Sequence, residues 1–210
     1  MSTPLISEFM KILRDDYGFD TLAVRRLLIH SIPASGRRDL RILDVGAGSG
    51  WMAITAAQHG YDVVSIDPDQ EGLLHAQDRA GQALGRDAGR IRFLCADASR
   101  MPFRGDLFDA VLSFDVVHHF ADYLCPAAIA EMVRVCKPGA RLVIGDLSER
   151  GIRVVHSIHA RAGLTHDQNR CGVREIDALL RRAGLDVVRE DTPFVSVFHA
   201  EKLLLRTGEN

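Results

Sequence analysis

The sequence predicts an α/β fold, doubly wound around a mostly parallel sheet, and three observations carry that reading. Arg41 to Val45 ends in a short apolar run typed like a buried strand, and Gly46, Gly48 and Gly50 follow before a helical pattern begins: strand, glycine turn, helix start. Further strand-like runs at 62–66, 91–95, 110–114 and 141–145 alternate with helical stretches, as parallel strands joined by crossover helices do. These runs end at Asp67, at Ala96-Asp97-Ala98, at Asp115 and at Asp146. In an open parallel sheet the carboxyl ends of the strands form the edge where ligands bind, so four acids line that edge. Glycine suits the turn at 46–50 because it takes positive φ at no steric cost and, lacking Cβ, lets a ligand approach the backbone.

In chain order, residues 4–32 read as two helices broken by YGFD at 17–20. Leu5, Phe9, Ile12 and Leu13 share one face, Leu22, Leu27, Leu28 and Ile29 another, and Asp20 suits an N-cap. PASGRRD at 33–39 is a polar connection. The helix from Ser49 to Gln58 ends at Gly60 in the manner of a C-cap. A second crossover helix covers 70–84 and a turn 85–90. RMPFRGD at 100–106 is turn-rich, with Phe103 and Phe108 as its anchors. A helix over 123–135 stops at KPGA, 137–140, because proline and glycine cannot carry it further. The helix over 173–183 closes at Gly184, with Arg181 and Arg182 complementing its dipole. Strands over 187–190 and 194–202 complete the chain.

A chain of 210 residues is long enough for one domain with a sizeable core, and we expect a single domain over 1–210. The formal net charge of -2 and the lack of a dense Lys/Arg block disfavour a nucleic-acid partner. No apolar run approaches the length needed to span a bilayer. The four cysteines, Cys95, Cys125, Cys136 and Cys171, are dispersed without a CxxC pair, and no signal-peptide pattern precedes the first helix. Reduced thiols and cytoplasmic residence are the expectation. The sequence is silent on oligomeric state.

Five stretches in order, LDVGAGSG at 43–50, VVSIDPD at 63–69, FLCADASRMPF at 93–103, FDAVLSFDVVHHF at 108–120 and EMVRVCKPGARLVIGD at 131–146, resemble the motifs of class I, Rossmann-like, S-adenosylmethionine-dependent methyltransferases of the small-molecule type. The resemblance covers about half of the chain. It implies a seven-stranded sheet, parallel but for the last strand, with helices on both faces, a core over 41–205 and a helical lid over 1–32 with Tyr17 as a candidate cofactor contact; an amphipathic helix pair that simply packs on the domain is the equally open reading of 1–32. It also implies S-adenosylmethionine as cofactor: Asp44, Gly46, Gly48 and Gly50 along its methionine and ribose, Asp67 on the ribose hydroxyls, and Asp97 with the Ala98 backbone at the adenine. The glycine spacing agrees. A dinucleotide fingerprint has two residues between its second and third glycines, whereas here only Ser49 separates Gly48 from Gly50. Trp51 is large for its place beside the turn; it either shapes the pocket or, as the preferred reading, packs the helix against the sheet.

A sulfonium methyl is already a strong electrophile, so the expected catalysis is chiefly the positioning of a small-molecule acceptor in line with it. Where a base is needed, the candidates at the strand edge are His118, His119 and Asp146. Adjacent histidines on a helical turn point about 100° apart and cannot both face one site. After Asp146 the motif resemblance fades, and GIRVVHSIHARAGLTHDQNRCG at 151–172 is where substrate contacts are expected. His156 and His159 there share a helix face, a spacing open to a metal pair, with His166 and Cys171 nearby. Without a tight fourfold set, a polar surface helix and no resident metal are expected. Two other function classes remain open: a non-catalytic S-adenosylmethionine-binding module acting through a partner and, against the glycine spacing, a nicotinamide-dependent oxidoreductase.

Overall fold

The computed structural model describes residues 3–32, 40–164 and 171–203. The connection expected over 33–39 and His166 lie outside the described residues, as does the side chain of Leu5. Seven strands form one sheet: β1 (Arg41–Val45), β2 (Asp62–Asp67), β3 (Ile91–Cys95), β4 (Phe108–Phe114), β5 (Cys136–Leu147), β6 (Asp186–Asp191) and β7 (Val195–Glu201). Their order is β3-β2-β1-β4-β5-β7-β6. All pairings among β1–β5 are parallel, and β7 runs antiparallel to both β5 and β6. The order reverses between β1 and β4, and that switch point opens the crevice at the carboxyl ends of the strands.

The helices are α1 (Thr3–Tyr17), α2 (Thr21–His30), α3 (Trp51–Gln58), α4 (Gln70–Leu84), α5 (Cys125–Val135), α6 (Glu149–Arg161) and α7 (Val173–Arg182). Buried residues of α5 and α7 pack on one face of the sheet with Phe108, Leu142 and Phe198. The first three helices and α6 share the other face with Ile42, Leu112 and Val143. Tyr17 packs within that second cluster. Asp20 caps α2 as expected, accepting from the Leu22 and Ala23 N–H groups at 2.9 and 3.1 Å.

Two boundaries differ from expectation for physical reasons. The α5 helix does end at Val135, but β5 starts at once with Cys136, so Pro138 and Gly139 sit inside a long strand. The register against β4 slips there, between Phe108 and Ala110, and Gly139 takes φ 76°. A bulge absorbs the residues that read as a loop. The turn at 85–90 winds as a 3-10 segment.

Candidate functional site at the carboxyl edge of the sheet

The glycine turn is tied to the end of β2. The Gly46 and Ala47 N–H groups both donate to the Ile66 carbonyl at 2.9 Å, and the Gly48 N–H donates to Asp67 Oδ2 at 2.9 Å. Gly46, Gly48 and Gly50 take φ 89°, 46° and 82°. At Gly46 the need for glycine is double: besides its φ, a Cβ there would collide with the Val116 side chain. Above Gly48 a Cβ would meet nothing within 4 Å, so the turn opens on a free face.

Asp44 lies beneath this turn, fully buried at 1% exposure. Its Oδ2 accepts from Ser65 Oγ at 2.6 Å, and its Oδ1 has no partner. Burial pushes its carboxyl up to about 7, with the charge of Asp67 adding and the Ser65 hydrogen bond opposing. Ser65 stands opposite Asp44 in the β1–β2 register. It escaped the sequence reading, although a hydroxyl inside the apolar run VVSID was its signal. Asp67 uses Oδ2 for Gly48 and Oδ1 for the Asp69 N–H at 3.0 Å, so its orientation is fixed while each oxygen keeps a further lone pair. Asp97 is exposed, and its Oδ1 accepts from the Ser99 N–H and Oγ at 2.7 and 2.8 Å. Ala98 is buried beside it.

Past β4, Asp115 holds φ 62° and its N–H donates to the Gly145 carbonyl at 2.9 Å. His118 and Asp146 are brought together, each 1% exposed. The Asp146 carboxylate receives the His118 N–H at 2.9 Å on Oδ2, and Oδ1 meets His118 Nδ1 at 2.5 Å and the Leu147 N–H at 2.7 Å. Burial alone would lower the His118 pKa. The hydrogen bond and charge of Asp146, with Asp115 behind them, outweigh it and hold the imidazole above its ordinary 6.5. His119 is exposed, yet its ring centroid is 4.0 Å from that of His118. The segment is a 3-10 turn, which sets neighbouring residues about 120° apart, and accordingly His118 is buried while His119 is exposed even though their rings touch. Asp115, His118 and Asp146 place ligand-type atoms within 4.8 Å of one another, but two of the three are engaged with each other.

The segment after Asp146 behaves differently from the expectation. His159 is buried and stacks on Phe9 at 4.9 Å, while His156 is exposed on the same helix. Cys171 is bonded to Cys125, with Cα atoms 6.3 Å apart. This corrects the reading of all four cysteines as reduced thiols: 46 residues separate the pair, and only the packing of α5 against α7 brings them together. A cleft of about 780 Å³ begins at Leu147 and Ser148, but His118, His119 and Asp146 are not in its wall. Trp51 does not face the sheet. It is half-buried on the outside of α3, with the Arg25 and Arg79 guanidinium carbons 5.9 and 5.5 Å from its ring centre.

Residues 43–144, which hold the glycine turn, Asp44, Asp67, Asp97, Asp115, His118 and His119 but not Asp146, match the family described as methyltransferase domain. The 27-O-demethylrifamycin SV methyltransferase of Amycolatopsis mediterranei is 32% identical over 160 residues, covering 70% of this chain and 54% of that protein. Across the first curated relatives matched, the chain spans from 35% to 65% of their length. Among solved structures, the [4+2]-cyclase SpnF aligns with a TM-score of 0.69 at 20% identity, over 87% of this chain and 81% of that one. Geranyl diphosphate methyltransferase in complex with SAM gives 0.66 at 16% identity, over 86% and 85%. At such identities the likeness is of fold alone.

Proposed function

We propose, from the match of residues 43–144 to the methyltransferase-domain family and the likeness to a curated methyltransferase, that this chain is a class I S-adenosylmethionine-dependent methyltransferase and transfers the methyl group of S-adenosylmethionine to a small organic acceptor. The observation that carries the proposal is Asp44. A carboxylate oxygen buried without a partner, directly under a glycine turn that is open above Gly48, suits a ligand that brings a cationic group to that point. The residues present fit the cofactor. Asp44 and the turn at Gly46, Gly48 and Gly50 would hold its methionine end, Asp67 the ribose hydroxyls, and Asp97 with the Ala98 backbone the adenine. When bound, the cofactor supplies an activated methyl group.

The chain's own part is to orient, to exclude water and to hold a proton. Asp146 accepts from the His118 backbone and meets its ring, so the imidazole is fixed with Nδ1 toward the carboxylate. His118 is then the group that takes a proton from an acceptor, with Asp146 as its positioning residue and His119 at the exposed approach. Segment 1–32 acts as the lid. The net charge of -2 supports a small acceptor over nucleic acid. Among the described residues no helix is long and apolar enough to cross a membrane; the Cys125–Cys171 disulfide removes the reduced-thiol support for residence in the cytoplasm.

Thermal unfolding with S-adenosylhomocysteine or NAD tests the cofactor. A ligand at a hundred times its dissociation constant adds about 2.7 kcal/mol, which raises Tm by roughly 5 to 11 °C in a domain of this size. A rise with S-adenosylhomocysteine alone supports the proposal, and a rise with NAD alone refutes it. Binding without transfer of labelled methyl to any member of an acceptor panel would favour the non-catalytic module.

A further inference from the structure

On the outer flank of α3, bordering the glycine turn through Trp51 and Arg79, α1 and α2 close over a cleft of about 550 Å³. Its wall carries Lys11, Arg14, Arg25, Arg26 and Arg79, with Asp20 as the one acid among the described lining residues. Asp20 already accepts two N–H groups as the cap of α2, and Arg14 is paired with Asp15. Arg25 is the unusual member. It is 7% exposed, its Nε has no acceptor, and its Nη1 reaches Thr21 Oγ1 only at 3.4 Å. No carboxylate among the described residues pairs with it, and burial lowers its pKa to about 10, with Asp20 opposing in part. Arginine is almost never buried without a partner, because desolvating the charge is not repaid. Arg79, also buried, donates to the Ser49 carbonyl, and Trp51 lies against both guanidiniums.

We infer that this cleft is a second ligand site, for a small molecule carrying a phosphate or carboxylate group that neutralises Arg25. Guanidinium forks match both oxyanions in a bidentate way. The volume falls in the range of about 300 to 1,000 Å³ typical of small-molecule sites, which leaves room for an organic body beyond the anionic group. The charge arrangement also explains why an exposed cationic rim surrounds the buried guanidinium: Lys11 and Arg26 draw the anion in, and Arg25 holds it.

Trp51 is the only tryptophan of the chain and lines the cleft, so its emission reports occupancy directly. The full chain is titrated with inorganic phosphate, pyrophosphate and citrate at ionic strength held constant with chloride, with and without S-adenosylhomocysteine. The expected result is a saturable change of Trp51 emission that survives saturation with S-adenosylhomocysteine. Arg25→Met should weaken it at least tenfold, and the exposed pair Lys11→Gln/Arg26→Gln severalfold. Preference for the phosphates or for citrate identifies the oxyanion. Arg25→Met without anion should melt no lower than the parent, because an unpaired charge has been removed and the side-chain volume kept. The inference is overturned by the absence of saturation, by titrations unchanged in both variants, or by loss of the signal on adding S-adenosylhomocysteine, which would make the cleft part of the cofactor site.

Discussion

Replacing Asp44 by asparagine should stabilise the protein at pH 8 while weakening cofactor binding. The Asp44 carboxyl is raised from 3.8 to about 7, chiefly by burial. A raised carboxyl pKa means that the folded state holds a proton the unfolded state has released, so stability falls as pH rises from about 4 to about 7. The full window of about three pKa units corresponds to roughly 4 kcal/mol. The Asp44→Asn change removes that penalty, keeps an acceptor for Ser65 Oγ, and places an amide N–H where Oδ1 lacked a partner. That unpaired donor costs about 1 to 3 kcal/mol. The net gain at pH 8 is roughly 1 to 3 kcal/mol, a Tm rise of roughly 2 to 12 °C at about 2 to 4 °C per kcal/mol. Near pH 5 most of the gain should vanish, because Asp44 is then largely protonated. Calorimetry at both pH values, with calorimetric titration of S-adenosylhomocysteine at pH 8, measures all three quantities. A variant that melts lower at pH 8, or by a margin independent of pH, would refute the argument that the charge is desolvated. Unchanged affinity would refute the assignment of Asp44 to the cofactor.

Asp67→Ala should abolish the S-adenosylhomocysteine-induced rise in Tm and free the Gly48 and Asp69 N–H groups, which protection from hydrogen exchange at the turn would register. If His118 is the base, kcat/KM should rise with pH through a midpoint above 6.5, since the imidazole must lose its proton while Asp146 holds its pKa up. Asp146→Asn should move that midpoint down and, by breaking a buried pair, lower stability by about 3 to 5 kcal/mol, whereas His119→Gln should leave the midpoint in place. The stabilisation from the charged His118–Asp146 pair is complete below pH 6.5 and lost as pH rises through the raised His118 value. Thiol titration should find one reactive group in the native protein, the exposed Cys95, because burial pushes the Cys136 thiol up to about 12. Denaturant should raise the count to two, and prior reduction to four.

The elements were legible because the β–α alternation is strongly patterned, and so was the edge, since LDVGAGSG and the acids that follow are local signals. What each acid does was not legible. Asp44 and Ser65 sit 21 residues apart and meet through strand register, and the His118–Asp146 pair closes over 28 residues. Cys125 and Cys171 show the same limit: their spacing carries no motif, and tertiary packing alone decides that they bond. Trp51 departs from the preferred expectation, which argued only from its size beside the turn. Its place at the first residue of α3, between Arg25 and Arg79, makes it part of a charged wall instead.

Five aspartates stand at one sheet edge, and their surroundings give them different chemistry. Asp44 is buried with one oxygen idle, so its charge is costly until a cation arrives. Asp67 is held by two backbone donors and remains half-exposed, with lone pairs left to accept hydroxyls. Asp97 caps its own turn in solvent. Asp115 is bent into a left-handed conformation behind His118, and Asp146 is consumed by that histidine and the backbone around it. The cofactor side therefore presents an unmet charge, whereas the acceptor side presents a charge already met and passed on to an imidazole. Val116, packed on Gly46 from the same turn that carries His118, joins the two sides. Enlarging Gly46 should thus disturb both, displacing the turn at 115–119 along with the cofactor loop. A Gly46→Ala variant that loses S-adenosylhomocysteine binding but keeps the pH midpoint set by His118 would show that the two halves of the edge are mechanically independent.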